Sequence, residues 1–127
     1  MADISKLRSA VIEKQELILN RLTALSYEEV MHLMASLSSI IVNLDKVQAE
    51  EEALCNRLLV SELEKDSRTT FSKAEATLKS SEVHLAYKNV MSLKQCASRA
   101  LSLARLHAQH LTNSKASDYE EAEALTT

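Results

Sequence analysis

The chain has 127 residues, and it contains no glycine, no proline and no tryptophan. The usual helix breakers and hairpin-turn formers are therefore missing. Dinucleotide crevices, phosphate loops and nucleophile elbows all need glycine, so those enzyme frameworks are excluded. The formal net charge of −3 hides a segregated pattern. Residues 1–64 carry six Lys/Arg against eleven Asp/Glu, residues 65–115 carry nine against three, and residues 116–127 carry four acids and no base. A basic segment between two acidic ones can attract a polyanion. Equally, an acidic second helix can neutralise a basic third one across their contact.

The apolar content is mostly Leu, Ala, Val and Ile beside many good helix formers, which predicts an all-α fold. The expected architecture is a long antiparallel helical hairpin with a shorter N-terminal helix, oligomerising through coiled-coil-like seams. Residues 1–115 are read as a single helical domain and 116–127 as an acidic mobile tail. The first twenty residues mix charge with apolar residues, so no signal peptide is expected. No window of eighteen consecutive apolar residues occurs, so no membrane span is expected.

Asp3 is a candidate N-cap for a first helix over 4–24, with an apolar stripe at Ile4, Leu7, Val11, Ile18, Leu22 and Leu25. Ser26 followed by Glu29 has the capping-box spacing, so a second helix should start at 27 after a very short turn. It runs to about 65 on Val30, Leu33, Leu37, Ile40, Leu44, Val47, Leu54 and Leu58. Residues 66–70 are polar and lack an apolar period, which marks the best turn in the chain. Ser72 and Glu75 repeat the capping-box spacing, with Phe71 as the staple residue and Ser67 or Thr70 as a fallback start.

A third helix is expected over 72–113 without interruption. One seam on it is Val83, Tyr87, Val90, Ala97, Leu101, Ala104, Ala108 and Leu111, with Lys94 in the one missing turn. A second seam, Leu78, Leu85, Leu93, Cys96, Leu103 and Leu106, flanks the first. That surface is wider than one partner helix can cover, so at least two neighbours are required and self-association is the natural solution. If the chain folds back near 66–70, Cys55 lies opposite about residue 82. Cys55 and Cys96 are then too far apart to bridge, as for reduced thiols in a cytoplasmic protein.

No catalytic constellation is found, and neither an enzyme activity nor a cofactor is expected. His107 and His110 stand three apart on one helix face but lack a nearby third ligand, so no metal is assigned. Tyr27, Phe71, Tyr87 and Tyr119 are too sparse for an array of base-stacking platforms. What remains is a basic set around the turn, Lys65, Arg68, Lys73 and Lys79, continued by Lys88, Lys94, Arg99 and Arg105. Binding to a nucleic-acid backbone needs only such side chains at spacings that follow phosphates.

The run Ala53-Leu54-Cys55-Asn56-Arg57-Leu58 near the end of the second helix resembles the UvsY-type recombination mediators of tailed phages. That family carries a similar Ala-Leu-basic-x-Arg-Leu run before its hairpin turn, and its basic pair is implicated in DNA contact. Arg57 matches the arginine, while Cys55 stands where the other basic residue is expected. Lys73-Ala74-Glu75 and the long helix through Lys94, Arg99 and Arg105 are also similar in layout. The resemblance implies a homo-oligomer of six or seven copies in the host cytoplasm. It would bind single-stranded DNA at the hairpin end and help a recombinase replace single-strand-binding protein. With the basic set, it assigns Arg57, Lys65, Arg68, Lys73 and Lys79 to nucleic-acid binding. The competing expectation is a self-assembling structural or scaffold protein that binds no nucleic acid.

Overall fold

The computed structural model describes residues 4–65 and 70–126, with side chains through Ser114. The described residues form four α-helices and one short 3-10 turn, with no strand among them. These are α1 (Ile4–Arg21), the turn Leu22–Ala24, α2 (Tyr27–Lys65), α3 (Phe71–Lys79) and α4 (Glu82–Thr126).

The start of α2 is made as its local sequence dictates. The Glu29 backbone N–H donates to Ser26 Oγ at 3.2 Å, and the Ser26 N–H donates to Glu29 Oε1 at 3.4 Å. Two N–H groups that no helical carbonyl can reach are thereby satisfied reciprocally. At α3 the fallback start is the one used: Thr70 caps, its Oγ1 accepting from the Lys73 N–H at 3.3 Å. Ser72 and Phe71 already lie inside the helix, and Phe71 is exposed, so the expected second capping box and staple do not form.

The single third helix expected over 72–113 is corrected in two ways. It is divided at Ser80 and Ser81, and it runs on past 113 to Thr126. At the division each serine turns its hydroxyl on the preceding turn: Ser80 Oγ donates to Thr77 O at 3.0 Å, and Ser81 Oγ to Leu78 O. Ser81 Oγ also accepts from the His84 N–H at 3.2 Å, capping the start of α4. Hydroxyls that bond the local backbone compete with the helical ladder, and a pair of them is enough to end one helix and begin the next. Beyond 113 the apolar period is lost, but Ala, Glu and Lys without Gly or Pro keep a helical preference. The backbone of residues 116–126 therefore continues α4.

The core sits where α1 lies against α2 and α4. One cluster joins Ile18 of α1 and Val30, Leu33 and Leu37 of α2 to Ala100, Leu101, Ala104 and Ala108 of α4. A second joins Leu7 and Val11 to Ile40, Leu44 and Val47 and to Val90 and Ala97. Early residues of α2 thus meet late residues of α4, whereas early residues of α1 meet early residues of α4. The division of sizes is systematic, with branched side chains on α2 and four buried alanines on α4. Large groups facing small ones let two helices approach closely and fill the space between them at interior density.

Lys94, in the missing turn of the main seam, is held by that same register. Its Nζ pairs with Asp45 Oδ1 and donates to Gln48 Oε1 at 3.1 Å, both on α2. Further along, Cys55 is buried and its Sγ lies 3.9 Å from the Val83 carbonyl oxygen, next to the expected position 82. Both cysteines are free thiols. Burial pushes the Cys55 thiol above its ordinary value of 9.0, and the negative charges of Glu51 and Glu52 add to the shift.

The expectation that no helix could span a membrane needs amending. α2 is long and apolar enough by length and composition alone, with a window of mean hydropathy 1.2. About a third of that window is buried within the chain. The buried residues of this part of α2, at 30, 33, 37, 40, 44 and 47, form the stripe packed on α1 and α4.

Two outcomes follow from this packing. Leu37 and Leu44 are fully buried, so Leu37→Ala or Leu44→Ala should each cost about 2–5 kcal/mol in urea denaturation followed by circular dichroism. Asp45→Ala removes a half-exposed ion pair and should cost about 1 kcal/mol or less. An Asp45→Ala loss as large as the leucine losses would refute this ranking. Separately, Cys55 should alkylate more slowly than the half-buried Cys96 in the native protein at mildly alkaline pH, and at the same rate after unfolding. Equal native rates would show that burial does not hold back the Cys55 thiolate.

Candidate nucleic-acid interface

The four described residues of the expected DNA site lie at the end of the molecule where α2 gives way to α3. Arg57 is exposed on α2, about two turns before Lys65, the last residue of that helix. Lys73 is in the first turn of α3 and Lys79 is its last residue, both exposed. Arg68 lies outside the described residues.

Their ionic environments differ. Lys65 Nζ bonds Glu62 Oε1 at 2.8 Å, and Lys79 Nζ lies 3.4 Å from Glu75 Oε1, each pair on one helix. Among the described residues no carboxylate pairs with Arg57 or Lys73. The site therefore divides into two uncompensated cations and two that share their charge with a neighbour. Exposed pairs of this kind are weak, about 0.3–0.5 kcal/mol, and a phosphate oxygen can displace such a carboxylate at little cost.

Lys94 leaves the basic set, since its ammonium is committed to Asp45 and Gln48 inside the molecule. The seam spacing already placed it on the inner face. What the sequence lacked was the register that sets Asp45 and Gln48 opposite. Lys88, Arg99 and Arg105 are exposed on α4. Only one acid, Glu82, occurs between residues 82 and 117, so the outer surface of α4 is cationic over most of its described length.

Position 55 bears directly on the family resemblance. The basic residue expected there would project toward solvent, but Cys55 points inward against Val83. Two residues on, a helix has turned about 200°, which carries Arg57 to the outside. In this fold only one of the two positions of that motif can meet a phosphate.

The histidine pair is the other candidate of chemical interest. His107 and His110 stack with ring centroids 6.3 Å apart and planes at 29°. His107 Nε2 is buried and makes no hydrogen bond. Among the described residues no group of three or more His, Cys, Asp or Glu side chains converges on a point, so the pair stays a two-nitrogen cluster.

No family model matches the chain, and no curated protein or solved structure is significantly similar to it.

Proposed function

We propose that the chain is a self-associating, non-catalytic protein built on a long helical hairpin of α2 and α4. On this reading it holds the backbone of single-stranded DNA at the end where α2 passes into α3. The observation that carries the proposal is the exposure of Arg57 and Lys73, which have no carboxylate partner among the described residues, flanked by the weakly paired Lys65 and Lys79. Positive side chains alone suffice for backbone binding. Each contact is weak, and an assembly that presents the same end several times multiplies it. The resemblance to UvsY-type mediators, with its ring of six or seven copies, supplies the wider role: easing a recombinase onto DNA covered by single-strand-binding protein. No cofactor enters this reading.

A second reading, a structural or scaffold protein without nucleic acid, is favoured by a different observation. Of the second seam on α4, Leu85, Leu103 and Leu106 stay exposed in the single chain, as does Leu19 on α1. Those side chains call for a protein neighbour whether or not DNA is bound.

Fluorescence anisotropy of labelled single-stranded DNA separates the two. Affinity should fall steeply with added salt, because binding releases counterions from the phosphates. The double variant Arg57→Glu, Lys73→Glu should bind much more weakly and lower the salt slope by about 1.4, the share of two phosphate contacts. Its helix content should not change, since both residues are exposed. Undetectable binding by the parent chain at low salt would leave the scaffold reading.

A further inference from the structure

The free faces of α2 and α4 differ in size and in sign. On α4, Leu85, Lys88, Ser92, Arg99, Leu103 and Leu106 are exposed and lie within about 60° of one another around the helix, at ~100° per residue. The three leucines are 58%, 47% and 63% exposed. On α2, Ala35, Val42, Ala49, Ala53 and Val60 are exposed and lie within about 40° of one another. Glu50 and Glu52, both exposed, flank this stripe on its two sides. The charges separate in the same way. α2 carries eight Asp/Glu against three Lys/Arg, while α4 as far as Ser114 carries one against four. Among the described residues, only Lys94 and Asp45 pair across the two helices. The remaining opposite charges sit on different helices of one molecule and do not neutralise each other there.

We propose that the free face of α4 in one copy packs on the free face of α2 in the next, with neighbouring copies side by side and their hairpin ends level. The proposal rests on the self-association half of the reading above and supplies its contact surface.

A ring that presents one end of every copy turns each copy about an axis along its long helices. A residue then keeps its height along the rod. Such a contact is heterologous, so two different faces must match at each height. The register within one chain gives those heights. Asp45 is level with Lys94, and Cys55 with Val83, so each step forward along α2 matches an equal step back along α4. Lys88, six residues before Lys94, is therefore level with position 51, between Glu50 and Glu52. Leu85, two residues after Val83, is level with Ala53. Leu103 and Leu106, nine and twelve residues after Lys94, are level with positions 36 and 33, on either side of Ala35. Lys46, beside the α2 stripe, is level with position 93, where the free face of α4 offers the neutral Ser92 and Gln95.

Leucines of one copy thus meet alanines of the next, and a lysine meets two carboxylates. Inside the chain the sizes are reversed, with branched side chains on α2 and alanines on α4. The alternatives match less well. A two-fold contact of α4 on α4 would set cation against cation and leave the α2 stripe bare. A nucleic-acid backbone would take Lys88 and Arg99 but leave the three leucines between and beside them in water.

Light scattering on the full-length chain tests this, with circular dichroism as the check on folding. The parent chain should have several times the monomer mass. Ala35→Arg blocks the α2 face and Leu106→Arg the α4 face; each variant alone should be a helical monomer. Mixed together, the two variants retain one intact contact and should form a particle of two chains. Lys88→Glu should weaken assembly by ~tenfold or more, as for close interfacial charge pairs, and adding Glu50→Lys and Glu52→Lys in the same chain should restore it. An Ala35→Arg protein that assembles like the parent, or a mixture that stays monomeric, would overturn the α4-on-α2 contact while leaving self-association and the DNA reading intact. Lys88→Glu that loses DNA binding at unchanged mass would assign the α4 cations to phosphate instead and overturn the contact. A monomeric parent chain would overturn both the contact and the self-association on which it rests.

Discussion

The structure depends on one contact, the seating of branched side chains from α2 on the alanines of α4. Leu33, Leu37, Ile40 and Leu44 are large, while Ala97, Ala100, Ala104 and Ala108 are small, and all are buried. The alanines let α2 and α1 come close to α4 at the same time. Larger residues there would separate the helices and open voids. The Lys94 contacts to Asp45 and Gln48 follow from this packing, because they form only when the two helices stand in that register. Cys55 beside Val83 marks the same register further along.

The break at Ser80 and Ser81 is local in cause and larger in effect. It separates nine residues, α3, from the long helix and lets them pack mainly against α2. Ala74 is the buried residue of that short helix. Lys73 and Lys79 consequently project from an element of their own and are not part of the α4 surface. The distribution of positive charge at this end is thus set by two hydroxyls that bond backbone carbonyls.

Apolar surface is unevenly resolved within one chain. The main seam of α4 is covered at Val90, Ala97, Leu101, Ala104 and Ala108. The second seam is divided: Leu93 and Cys96 are half-buried beside α1, whereas Leu85, Leu103 and Leu106 remain in water. Helix α1 is too short to cover the whole of a helix more than twice its length. That shortfall, together with the isolated Leu19, is the physical ground for expecting a neighbouring copy. It also separates the two functional readings, since assembly needs the apolar seam and DNA binding needs the unpaired cations.

Much was legible from residue order alone. The absence of Gly and Pro fixed the all-α class, the seam residues identified the core faces, and Ser26 with Glu29 located the start of α2. These are one-dimensional signals: propensity, period and capping spacing act within a few residues. The break at 80–81 was not legible, because serines are common on helix surfaces and only their rotamers show whether they bond the backbone. The extension of α4 to Thr126 was missed for the converse reason, that a lost apolar stripe removes a packing face but not helical preference. Which cations remain free was also beyond the sequence. Lys65, Lys73, Lys79 and Lys94 look alike as letters, but the carboxylates they meet are set by helix faces and by the α2–α4 register. Local chemistry decided where helices could form, and tertiary packing decided which of their side chains were left to meet another molecule.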